Sequence, residues 1–126
     1  MEMRKAKTNW QKVVDYLVGR GGGGTPSGDD ILVAYLALLH AFDSTKAIAL
    51  AKGLSRELAT PDVSKAYLIA AIKGEVNLLI YELFQSVKNL DILLVEANVQ
   101  KLMAIGHFSG KDMAFGLLLA AESLLN

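Results

Sequence analysis

The sequence predicts an all-α protein, one compact domain of about seven helices joined by short connections. Three observations carry that prediction. Apolar residues recur at helical spacing along nearly the whole chain, and no segment alternates apolar with polar over the length of a strand. Both prolines, Pro26 and Pro61, stand where helices are expected to start. With 126 residues and no Ser/Pro-rich linker or low-complexity stretch, residues 1–126 read as a single unit.

Each element follows from its own spacing. Trp10, Val13, Val14, Leu17 and Val18 fall at i, i+3, i+4, i+7 and i+8, and Gly19 supplies a stop. Ile31 to Phe42 is apolar on all sides, the pattern of a central, wholly covered helix. Ala47, Leu50, Ala51, Leu54 and Leu58 mark a third helix starting near Asp43 or Ser44. Thr60-Pro61 reads as a cap residue followed by proline at the first helical position. Val63, Ala66, Tyr67, Ala70 and Ala71 then form one face, closed by Gly74. Val76, Leu79, Ile80, Leu83, Phe84 and Val87 give a clean amphipathic stripe, and Ile92, Val95, Val99, Leu102 and Met103 give another. The last helix is expected from about Gly110 to Leu125.

Composition narrows the function classes. Thirteen basic and thirteen acidic residues leave zero net charge, with no like-charge run to grip nucleic acid or a membrane surface. The first ten residues, MEMRKAKTNW, lack the apolar core of a signal peptide, and the apolar run Ile31–Phe42 is too short to span a bilayer. Together with the absence of cysteine, this points to the cytoplasm. The hydrophobic class reaches 52% before eleven glycines are added, more than so small a domain hides by itself. A homo-oligomer or a partner enzyme subunit is therefore expected to cover part of it.

The chemistry concentrates in GRGGGGTPSGDD, residues 19–30, with five glycines in six positions and then two aspartates. This stretch has an echo: PSGDDILVAYLAL and FSGKDMAFGLLLA align without a gap, so two apolar helices start at Ser-Gly-x-Asp turns. Ser27 with Asp30, and Ser109 with Asp112, resemble capping boxes with Asp in place of Glu. A cap does not require the glycines that follow each serine, Gly28 and Gly110. There the missing side chain would let another group approach the free N–H groups of the first turn. Two such starts could converge on one ligand.

The alternatives differ in what they ask of these residues. Gly19-x-Gly21-x-x-Gly24 is formally a dinucleotide fingerprint, with Asp43 at the spacing of a ribose-binding acid. No parallel strands accompany it, and Asp29 and Asp30 would repel a pyrophosphate from the helix end that should attract it. No Lys-Ser/Thr pair follows the glycines, so it is not a phosphate loop of the Walker kind. What remains is a nest for a small acid or phosphate, built from Arg20, Gly21, Gly22, Gly23, Gly24, Thr25, Ser27, Gly28, Ser109 and Gly110. Asp29, Asp30 and Asp112 would accept from an amino group or, in a variant of the same site, hold Mg²⁺. His107, two residues before Ser109, and Asp30 are the candidates for acid/base work. His40 reads as a core or interface residue; neither histidine has the partners that zinc needs, and no nucleophile elbow is present.

Three segments, TPSGDD at 25–30, TPDVSKAYLIAAIKGE at 60–75 and IGHFSGKDMAFGLLLA at 105–120, resemble a bacterial family of which one branch is a subunit of the oxamate carbamoyltransferase of allantoin breakdown. The resemblance implies a helical domain and a substrate class of carbamoyl phosphate, oxamate and related small acids. The family's loop reads nearer GLGPGLTPSGDD, so Arg20, Gly22 and Gly24 make this one looser and more polar. Family members are commonly about twice this length, and the chain resembles their C-terminal half. The resemblance thus implies that a further half or a separate subunit completes the site. A non-catalytic subunit docking on a catalytic partner is the rival expectation.

Overall fold

The computed structural model describes residues 9–55 and 58–125, and the expected helices follow in the expected order. They are α1 (Trp10–Leu17), α2 (Ser27–Phe42), α3 (Ser44–Leu54), α4 (Asp62–Ile72), α5 (Leu78–Lys88), α6 (Ile92–Met103) and α7 (Ser109–Leu125). Among the described residues there is no strand, and no helix is long and apolar enough to cross a membrane. The reading of the first eight residues as free of a signal core lies outside the described residues. The third helix ends at Leu54; Leu58 is buried beyond that end, and the expected continuation through residues 56–57 lies outside the described residues.

Four helices begin as short polar side chains dictate. Asn9, Asp43, Asn77 and Asp91 each accept a hydrogen bond from the backbone N–H three residues on, capping α1, α3, α5 and α6. The starts of α2 and α4 differ from expectation. Pro26 and Pro61 are themselves the N-caps, with no side-chain cap bond. Ser27 and Ser109 are already the first helical residues, so the capping boxes with Asp30 and Asp112 do not form. The hydroxyl of Thr60, expected to cap α4, is drawn elsewhere.

The core has two lobes sharing α2. Leu32, Tyr35, Leu36 and Leu39 pack with α1, α3, α4 and the end of α7 on one side. Ala34 and Ala37 pack with Ile80, Leu83, Phe84, Leu102 and Leu117 on the other. A helix shared by two lobes must be apolar nearly all round, and α2 is, with Phe42 emerging at its end. Two stripes are not buried as expected. In α4 the buried residues are Ser64, Leu68 and Ala71, while Val63 and Tyr67 face outward at 58% and 54% exposure. In α6, Leu102 is buried but Ile92 stands 79% exposed.

The closest backbone approach joins α2 to α7. A Cβ on Gly116 would overlap the carbonyl oxygen of Ile31, so only glycine lets the two helices lie this near. The sequence echo is a structural repeat. A Cβ on Gly28 would collide with the carbonyl of Leu17, and one on Gly110 with the carbonyl of Leu102. Arg20 N–H bonds Leu17 O and Gly28 N–H bonds Arg20 O; Ile105 N–H bonds Leu102 O and Gly110 N–H bonds Ile105 O. Each glycine therefore admits the end of the preceding helix, not a ligand. Leu17 precedes Gly28 by eleven residues and Leu102 precedes Gly110 by eight, so the first copy carries three extra residues. The glycine tract is where they are accommodated.

These contacts separate two kinds of glycine. Gly116→Ala is expected to destabilise by about 1–3 kcal/mol in urea unfolding, because the methyl meets backbone that has nowhere to go. Gly22→Ala, where a Cβ meets nothing within 4 Å, is expected to be neutral or to stabilise by up to about 1 kcal/mol. Equal effects at the two positions would contradict the close-approach account.

Candidate functional site

The starts of α2 and α7 meet. Thr25 Oγ1 lies 3.0 Å from Ser109 Oγ, across 84 residues of sequence. Beside this contact opens a cavity of about 490 Å³, bounded by α2, α4, the segment before α5, and α7. Thr25, Asp30 and Ser109 supply its polar end, and Val33, Ala37, Tyr67, Ala70, Val76 and Met113 are among its apolar walls.

Adjacent aspartates part company here. Successive residues on a helix point about 100° apart, so Asp29 and Asp30 face different neighbours. Asp29 is wholly buried toward α4, and its carboxylate accepts from Gly19 N–H at 2.8 Å and from the hydroxyls of Thr60 and Ser64. This is where the Thr60 hydroxyl goes, and why the inward face of α4 carries a serine. Asp29 thus ties the end of α1, the start of α2 and the start of α4 together, and its carboxylate is taken up by these three donors.

Asp30 is 3% exposed, lines the cavity, and its Oδ2 has no hydrogen-bond partner. Burial pushes its pKa up to about 6; hydrogen bonds from Ser109 and Thr25 oppose the rise, and the nearby charges of Asp112 and Asp29 add to it. The folded value lies above the ordinary 3.8, so the folded protein holds a proton that the unfolded chain has already released. The stability this provides is complete below about pH 3.8 and is lost as pH rises through about 6.

The other expected site residues scatter around this centre. Gly21, Gly22, Gly23 and Gly24 form an exposed arch, and Cβ atoms on the last three would meet only open space. Arg20 folds back on α1: its Nε donates to Tyr16 O at 2.7 Å and its guanidinium lies 3.9 Å over the Tyr16 ring. Ser27 is half-buried at the start of α2, while Gly28 and Gly110 are buried beneath the preceding helices. Asp112 is half-buried, close enough to Asp30 to raise its pKa. His107 is exposed on the α6–α7 turn with its ring against Phe108, and it does not line the cavity. Among the described residues, no group of three or more His, Asp or Glu side chains could hold a metal ion. Sequence reasoning missed Thr60, Ser64 and the cavity walls; a serine recurring with Leu68 and Ala71 at helical spacing was the available signal for the first two.

Over residues 17–121 the chain matches the family of the oxamate carbamoyltransferase subunit AllH. The chain belongs to that family. No curated protein and no solved structure matches it. The match takes in the glycine arch, both Ser-Gly-x-Asp starts and the cavity between them.

The two aspartates are expected to behave oppositely on substitution. Asp29→Ala leaves three donors without their acceptor and should cost about 3 kcal/mol or more in chemical unfolding. Asp30→Asn removes an ionisation rather than a tie. Its stability relative to wild type should rise by roughly 2–3 kcal/mol from pH 4 to pH 7 and then level off. A pH-independent difference would show that Asp30 ionises normally in the fold.

Proposed function

We propose that this chain is the subunit of an oxamate carbamoyltransferase complex that holds a small amide-bearing acid, with Asp30 accepting a hydrogen bond from the amide nitrogen. The observation that carries the reading is the unpartnered Oδ2 of a buried carboxylate beside a cavity. A buried acceptor without a donor is costly unless something supplies one. Family membership supports the reaction class. Ser109 opens α7, where the helix end favours negative charge and so suits the acid's oxygens.

In a transfer of this kind the oxamate nitrogen bonds to the carbamoyl carbon, the bond from that carbon to a phosphate oxygen breaks, and a proton leaves the nitrogen. A carboxylate with a pKa of about 6 is matched to receive that proton near neutral pH. The small-acid and phosphate expectation of the glycine nest narrows here to the amide end of the ligand. Mg²⁺ remains a co-ligand to be tested, since Asp30 and Asp112 would be two carboxylates near a metal-bound acid.

The test is titration calorimetry with oxamate, carbamoyl phosphate and phosphate, with and without Mg²⁺, on the chain alone and with the complex's other subunits. With the other subunits present, oxamate should release heat, its affinity should rise from pH 5 to pH 7 as Asp30 ionises, and Asp30→Asn should weaken it at least tenfold (about 1.4 kcal/mol). His107→Ala should leave binding unchanged. Absence of heat with every ligand in both settings would leave a non-catalytic docking subunit as the better account.

A further inference from the structure

A cavity of about 490 Å³ corresponds to the volume of roughly sixteen liquid waters, far more than an acid as small as oxamate fills. Its lining contains two carboxylates, Asp30 and Glu75, and no lysine, arginine or histidine. The nearest cationic candidate from the sequence, Arg20, is engaged on Tyr16. An acid bound there would place a second negative charge beside Asp30 without any cation, an arrangement that burial penalises. The mouth mixes apolar and polar groups: Tyr67 of α4 and Leu78 at the start of α5 line it and stand 54% and 67% exposed, beside the exposed Glu75 and Asn77. Val63, one turn before Tyr67, is 58% exposed and extends the same face of α4. The sequence writes that face as though it were to be covered.

We infer that this mouth is the docking face for another subunit of the carbamoyltransferase complex, which inserts a lysine or arginine side chain toward Asp30 while apolar residues around it seat on Tyr67 and Leu78. The inference rests on the reading of the chain as such a subunit and adds what completes its cavity. The partner's cation balances the charge of Asp30 and supplies the charge that an acid ligand requires, leaving a lone pair of Oδ2 for the ligand's amide. The apolar part of the rim excludes water from the pair, the arrangement in which a single buried anchor dominates an interface. The cavity is thus half a site, acceptor and walls, and the other half is a basic side chain with an apolar collar.

Co-expression with the complex's other subunits, followed by affinity measurement on the purified components, tests this without using oxamate. Tyr67→Asp and Leu78→Asp should each weaken association at least tenfold, and Asp30→Asn should do the same. Ile48→Asp, on an equally exposed apolar residue of α3, should leave it unchanged; thermal melting of each variant confirms that the fold is intact. On the isolated chain, n-butylguanidinium followed by NMR should bind wild type and bind Asp30→Asn several-fold more weakly. Wild-type association of the Tyr67 and Leu78 variants would overturn the inference. So would sedimentation showing a wild-type homodimer that Leu78→Asp converts to monomer, because the face would then belong to a second copy. Either result leaves the oxamate measurement free to succeed or fail independently.

Discussion

The contact on which the rest of this fold depends is the bare backbone of Gly116 against the carbonyl of Ile31. Two helices carrying ordinary side chains keep 8–10 Å between axes. Removing one Cβ lets α2 and α7 settle closer, and that pairing is the most extensive between any two helices here. Their starts are then forced together, with Thr25 against Ser109. Each start is anchored in turn by the helix before it, where a carbonyl near its end, Leu17 or Leu102, rests on Gly28 or Gly110. The repeat is therefore a packing device used twice, and the cavity is the space left between its two copies and α4.

Within that frame the sequence of α2 assigns opposite duties to neighbouring residues of the same type. Asp29 has every demand of its carboxylate met by Gly19, Thr60 and Ser64, and it holds three chain segments in register. In the second copy the equivalent position is Lys111, exposed, because no α4 lies against it. Asp30 has its counterpart in Asp112, whose charge helps to raise the pKa of Asp30 across the helix pair. The repeat thus keeps the acid that faces the shared space and varies the one that faces a helix present on one side only.

How much of this was legible in the sequence follows from what each signal reports. Periodicity reports helices, and all seven stood where apolar spacing and proline placed them. It reports less well which way a helix faces when polar and apolar residues both have reasons to be inside. Ser64 is inside because Asp29 needs it, while Val63 and Tyr67 are outside, Tyr67 at the cavity; hydrophobicity alone inverts that choice. The glycine after each serine was legible as a close approach, but the approaching group is the chain's own carbonyl. The three extra residues that the glycine tract accommodates in the first turn are invisible until the second turn is laid beside it. His107 lay close to the site in sequence, yet it is exposed with its ring against Phe108 and does not line the cavity.

Local sequence choices that work against stability mark the places where something other than folding is being served. Asp29 does not qualify, because a carboxylate with three donors belongs to the scaffold. Asp30 does. An asparagine or a leucine would sit among Val33, Ala37 and Met113 without an ionisation to suppress, yet the chain keeps an acid whose charged form burial disfavours. The outward face of α4 is a second such choice, since polar residues at Val63 and Tyr67 would be better solvated. These two departures are adjacent, one at the closed end of the cavity and one at its open rim. A charge held ready inside an apolar collar is unfavourable for the isolated chain and favourable once a donor arrives, so the same residues that weaken the domain alone give it a reason to bind.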